Sequence, residues 1–258
     1  MKTRNIIAML IVCLFVGTST STFATEKQDR DIPYAFSKVL VDDGINLYFS
    51  QGNASTVSLE AEAAILDKVE TVVQDETLII RMKKGEKLKR NTVIAHVTVS
   101  DISEIKADKK SNVYLQTPIH SDSHMSIYMH NGSSITCGAI NAKELNIKVS
   151  NASKAKLATV ISKSFTLNVA EFGDVQNGDI NTDFASVNLY NNSTAYISVN
   201  ATNLVSSANK GSNLIIGGTT NNITANASGE SSIKGNNLKF DKSTVKSLDS
   251  SSIKLAQK

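Results

Sequence analysis

Past Met125 the chain alternates apolar and polar residues in short runs, and the runs return about every twenty residues. Residues 125–144 (MSIYMHNGSSITCGAINAKE), 145–164 (LNIKVSNASKAKLATVISKS) and 165–184 (FTLNVAEFGDVQNGDINTDF) align without gaps, and 185–203, 204–222 and 223–241 continue the series one residue shorter. A small residue recurs at Ser111, Ser133, Ser153, Gly173, Ser193, Ser212, Ser231 and Ser251. Two positions later stands an apolar column: Val113, Ile135, Ala155, Val175, Ala195, Leu214, Ile233 and Ile253. Four positions before the small residue stands another: Met129, Val149, Val169, Leu189, Ala208 and Ala227. Alternation with period two marks strands that bury one face. A unit of this length with short strands and no helix cannot cover that face alone, whereas stacking units in register does so. The pattern predicts an all-β fold, a right-handed parallel β-helix-like solenoid with ~20-residue coils. An antiparallel sandwich is the competing arrangement, but its hairpins do not require one residue type to recur in a column.

The N-terminal part is less regular. Residues 36–41, 45–50, 56–59, 69–73, 77–82 and 93–99 read as strands, and 61–68, rich in Ala, Glu and Leu, as one helical turn. The expected organisation is a leader, 1–24, followed by a single solenoid domain, 25–258. Within that domain, 25–100 would cap the solenoid and form its first coils, and 101–258 would form the repeats. The cap would protect an edge otherwise open to strand addition.

The leader has the three parts of a secretory signal: Lys2 and Arg4, an apolar run over 6–16, and the small-x-small site Thr22-Phe23-Ala24. That run is too short to span a bilayer, and Cys13 inside it is poorly placed for lipidation. Past Ala24 a single cysteine remains, Cys137, which reads as a small buried hydrophobe. Removing two basic residues takes the formal charge from +3 to +1, which provides no field to steer the chain to nucleic acid. Nothing after the leader is apolar for long enough to be a transmembrane helix. Two prolines, no tryptophan and abundant Ser, Asn and Thr fit short strands broken by small polar turns.

The segment 36–52, FSKVLVDDGINLYFSQG, carries a Gly44-Ile45-Asn46 triplet between two strands. With AILDKVE (64–70), DETLII (75–80) and the Ser/Asn-rich coils, it resembles the head GIN domain family of putative auto-transporter adhesins, mostly exported Bacteroidetes-type bacterial proteins. The resemblance covers nearly the whole chain after the leader. It implies a β-helical fold and a place in the periplasm, on the outer-membrane surface or outside the cell. It carries over no catalytic residues. Gly44 itself is read as a turn position needing positive φ, with Asn46 bonding locally.

Three constellations bear on chemistry. His120, Asp122 and His124 alternate and would share a strand face able to hold zinc, with His130 as a fourth ligand; a plain polar face after Pro118 is the simpler reading. Arg81, Lys83, Lys84, Lys87, Lys89 and Arg90 form either a solvated hairpin or a phosphate clamp for lipopolysaccharide or an acidic glycan. Asp179 and Asp183, with Asp174 nearby, are the nearest approach to the paired carboxylates of a β-helical polysaccharide lyase or hydrolase. None is assigned as a site. No catalytic residue, metal or cofactor is expected, and the binding residues stay unknown at this stage. The function expected is an exported cell-envelope binding, adhesin-like or scaffolding protein with no evident catalysis; the alternative is a carbohydrate-active enzyme. Its partners would be a glycan or cell-surface ligand, or further copies of itself. Tyr114, Tyr128, Tyr190 and Tyr196 would support sugar stacking if they lay on one face.

Overall fold

The computed structural model describes residues 25–88 and 92–256. The leader with Cys13, and Lys89 and Arg90 of the basic segment, lie outside the described residues. The irregular N-terminal part contains β1 (Thr25–Asp29), β2 (Lys38–Val41), β3 (Asn46–Gln51), β4 (Thr56–Glu62), α1 (Ala63–Leu66), β5 (Val69–Gln74), β6 (Thr77–Met82) and β7 (Ile94–Val99). The repeats contain β8 (Glu104–Ala107), β9 (Asn112–Leu115), β10 (Ile119–Met129), β11 (Ser134–Thr136), β12 (Ile140–Val149), β13 (Lys154–Lys156) and β14 (Thr159–Ala170). The longest strands follow: β15 (Asp174–Tyr190), β16 (Thr194–Asn209), β17 (Asn213–Ser228), β18 (Ser232–Ser247), and finally the short β19 (Ser252–Leu255).

The result is a β-solenoid of about 8 turns with ~20-residue coils. Each coil has three sides, and equivalent segments pair in parallel one rung apart. The first side stacks β6, β2, β8 and residues 126–129 of β10, then the last part of each later coil. The second side stacks β7, β3, β9, β11, β13 and the opening residues of β15 to β19. The third begins at Ile119, against Ile140 and then Val160. The sequence columns are rungs of this ladder: Met129, Val149 and Val169 face inward on the first side, and Val113, Ile135 and Val175 on the second, all buried. One apolar core runs the length of the solenoid.

In the β2–β3 rung and in every coil from β8 onward, the chain turns from first to second side through two consecutive residues of positive φ: Asp43 and Gly44 in the first of these, Asn151 and Ala152 further on, Asp249 and Ser250 in the last. A left-handed residue other than glycine costs roughly 1–2 kcal/mol. Hydrogen bonds between neighbouring corners offset that cost. The Gly132 N–H donates to the Asn151 carbonyl at 2.9 Å, Ala152 to Glu171 at 2.9 Å, and Gly211 to Gly229 at 2.8 Å. The small residue after each corner is the serine column, buried at Ser111, Ser133, Ser153, Ser193, Ser212 and Ser231.

The Gly44-Ile45-Asn46 triplet is the first copy of this corner. Gly44 has φ 81° and donates its N–H to the Ser111 hydroxyl at 3.1 Å, and Ile45 takes the serine position with its side chain wholly buried. The Asn46 amide oxygen accepts from Asn112, one rung away, at 2.9 Å. Residues 38–51 are therefore a full rung lying between β6–β7 and β8–β9, although β6 and β7 come later in the chain. Outside that layer the pairing turns antiparallel. β5 pairs with β6 through a two-residue turn at Asp75 and Glu76, and β4 lies between β7 and β1. These hairpins end the parallel ladder with the polar, fully exposed strand TEKQD, which resists further strand addition. Among the described residues no helix is long and apolar enough to cross a membrane.

Candidate functional site

Outward side chains also stack rung on rung, and several asparagines bond one another in doing so. Asn112 bonds Asn46, Asn151 bonds Asn131 at 3.1 Å, Asn188 bonds Asn168 at 3.2 Å, Asn200 bonds Asn181 at 3.1 Å, and Asn222 bonds Asn203 at 3.0 Å. Tyr114 belongs to such a ladder. Its ring stacks on Tyr48 at 4.8 Å and Tyr48 on His96 at 5.5 Å, so ring faces point along the solenoid axis. Tyr128 lies on the first side under the Lys106 ammonium, and Tyr190 at the following corner under that of Lys210. The four tyrosines do not gather on one face. Only Tyr196, on the second side and 54% exposed, lacks a ring or cation against it among the described residues.

The zinc arrangement does not form. The strand bulges between Ser121 and His124, which breaks the alternation that would put the three ligands on one face. His120 pairs with Asp122 at 3.0 Å, whereas His124 turns to Ser126 at 2.7 Å and toward Glu144 at 3.8 Å. His130 is held by the Ser150 hydroxyl at 2.7 Å, and burial, with the Lys148 charge, lowers its pKa. Among the described residues no group of three His, Cys, Asp or Glu side chains is placed to hold a metal ion. Cys137 is buried, and that burial raises its thiol pKa to about 12.

In the basic segment Arg81 binds Glu70 at 2.6 Å, while the segment's own acid, Glu86, is held by Lys68 at 3.0 Å. Asp179 and Asp183 are exposed, four residues apart along the third side. A strand rise of about 3.3 Å per residue sets them on the order of 13 Å apart, beyond the separation of either glycosidase geometry. Asp174 is bonded to Gln176 at 2.8 Å.

What the surface does contain is a groove of about 590 Å³ at the corner between the second and third sides of β15 to β18. Coil length produces it. Asn177, with φ 61°, is an extra residue between Gln176 and Gly178, and the register against β16 slips there. β16 and β17 then match one to one through Ile197 and Ile216. β18 regains a residue, because Ile215 faces Lys234 while Gly217 faces Asn237. Two short coils between two longer ones leave a notch two rungs wide, about 10 Å along the axis.

The floor of the notch is backbone. Gly218 has φ +104°, and a Cβ there would lie 2.2 Å from the Val199 carbonyl oxygen. Ile197 and Ile216 beneath are almost fully buried. The walls hold the Tyr196 ring, the amides of Asn177, Asn236 and Asn237, and the Lys234 ammonium. Among the described residues no partner bonds the three amide side chains. There is no carboxylate in the lining. Tyr196 was visible in the sequence as an aromatic on an outward position. The asparagines were not, and the available signal was the drop to nineteen-residue spacing between Ser193, Ser212 and Ser231.

Three-sided coils, a polar outer surface and an open notch define the class of this protein as a β-solenoid. The chain belongs to the family described as "Putative auto-transporter adhesin, head GIN domain", which it matches over residues 35–202 and 166–258. Among solved structures, a putative adhesin from Parabacteroides merdae is 16% identical with a TM-score of 0.78, covering 91% of this chain and 96% of that one. A putative adhesin from Parabacteroides distasonis is 15% identical with a TM-score of 0.75, covering 88% and 98%. A protein named putative lipid binding protein, from the same species, is 15% identical with a TM-score of 0.72, covering 90% and 97%. At these identities the likeness is one of fold. Comparison with curated protein sequences returned no match.

Proposed function

We propose that this protein is exported to the cell envelope, loses residues 1–24 on the way, and acts there as an adhesin-like binding protein without a catalytic step. The observation that supports this most is the open notch at Tyr196, which brings an exposed ring and three amide side chains without partners among the described residues to one place on the surface. The stacked strands beneath leave little backbone freedom to lose on binding, and the amides have all their donors and acceptors available to a ligand. Membership of an adhesin family points the same way. The catalytic alternative has weaker support, since the acids closest in sequence are too widely spaced to act as a pair.

The test uses purified residues 25–258, fluorescently labelled, on intact bacterial and epithelial cells and on isolated envelope fractions. Saturable binding to at least one surface, competed by unlabelled protein, is expected. Incubation with a panel of polysaccharides should release no new reducing ends. Absence of binding to every surface, or turnover of any polymer, would overturn the reading.

A further inference from the structure

The notch has a chemistry of its own. An aromatic face free of other rings offers a flat apolar platform with a polar tip. Primary amides each present a donor pair and an acceptor, and Asn177 stands on the opposite rim from Asn236 and Asn237. A ligand that fits must therefore present an apolar patch on one face and groups that both donate and accept around its edge. A pyranose ring does this, with C–H bonds on its face and vicinal hydroxyls at its rim.

Other ligand classes fit less well. With no carboxylate in the lining, the notch offers a divalent cation only neutral oxygens and beside them the Lys234 charge, a poor donor set for it. Lys234 is its only cation, too little for a polyanion, which usually meets clustered Arg and Lys. An acyl chain needs enclosed apolar volume, but Ile197 and Ile216 are 3% and 1% exposed, leaving only Ile215 and Tyr196 as apolar lining.

We infer that the Tyr196 notch is a binding site for a neutral carbohydrate: one pyranose stacks on Tyr196 while Asn177, Asn236 and Asn237 bond its hydroxyls. The inference rests on the binding-protein reading above and assigns that reading its ligand class. Gly217 and Gly218 keep the floor flat so that the ring can reach the backbone. Lys234 reaches a hydroxyl or a ring oxygen as a donor.

Residues 25–258 are applied to an array of galactose-, glucose- and mannose-containing neutral oligosaccharides, with sialylated and sulfated ones beside them. Binding to at least one neutral group is expected. Tyr196→Ala should weaken it roughly tenfold or more, whereas Tyr196→Phe, which keeps the platform, should stay within about threefold. Asn236→Ala, on an exposed side chain without a partner, should weaken binding without moving the thermal midpoint. Binding confined to sialylated or sulfated members would overturn the inference, as would neutral binding unaffected by Tyr196→Ala in a variant with the parental midpoint. If the array stays empty while labelled protein still binds cells, the carbohydrate assignment fails and the binding-protein reading stands. If cells are not bound either, both fail.

Discussion

Ser212 turns its side chain into the corner between coils, where the hydroxyl accepts the Ser193 N–H at 3.3 Å and donates to the Asn209 carbonyl at 2.7 Å. Its own N–H goes to the Ser231 hydroxyl at 3.1 Å. The column is thus a chain of buried hydrogen bonds, and this explains why a small polar residue recurs beside inward apolar ones. Ser153 is the exception. Its hydroxyl is buried without a partner, and the next rung has Gly173 in place of a serine, where a Cβ would meet the Val149 carbonyl oxygen at 2.6 Å. The two serines should respond oppositely. Ser212→Ala leaves the Ser193 N–H buried and unbonded, which costs about 1–3 kcal/mol. Ser153→Ala removes an unsatisfied group, and stability should stay within about 0.5 kcal/mol of the parent or rise. Guanidinium midpoints of the two variants against the parent check this.

At the scale of the element, strand length and corner chemistry are set by different residues. The sides need only alternation, and Val, Ile, Leu and Ala serve interchangeably inside. The corners need positive φ, and here Asn, Asp, Glu, Lys, Ala and Phe adopt it alongside Gly. Such residues tolerate the left-handed region because the corner-to-corner hydrogen bonds hold them. The notch shows how sharply one position can differ from its neighbour. At Gly217 the nearest atom to an added Cβ is 3.6 Å away, whereas at Gly218 it is a backbone oxygen at 2.2 Å, with φ unfavourable to any side chain. Gly217→Ala should therefore leave the thermal midpoint nearly unchanged. Gly218→Ala should lower stability by about 2 kcal/mol or more, since the strand must move to relieve the contact.

For the whole molecule, stacking makes stability a sum of coil and interface terms, so position along the axis matters. β10 to β17 each have neighbours on both sides. The last part of β18 and β19 do not. Among the described residues, 243–247 and 252–255 pair on one side only, and Val245, which points inward, is 47% exposed. Hydrogen exchange should follow this gradient. Amides of 241–255 should exchange fastest among the strands of the parallel ladder, and those of β14 to β16 slowest. The N-terminal layers should be better protected than the C-terminal ones, because β4 and β5 cover them. Equal protection at both ends would mean that the last coil is covered by something beyond these contacts.

The residue pattern alone determined a good deal of this protein. Alternation fixed which side chains face inward, the recurring small residue fixed the coil length, and the strands at 77–82 and 56–59 lie where their β-branched runs predicted. These features are local, or repeat locally, and so can be read along one dimension. Tertiary structure decided the rest. The order of rungs, with β2 and β3 threaded between β6–β7 and β8–β9, depends on pairings between residues 39 to 66 positions apart. The zinc reading failed because a single bulge changes which face a histidine occupies. The notch at Tyr196 is made of a difference between neighbouring coils, one residue long or short, and such a difference becomes a shape only when the coils are stacked.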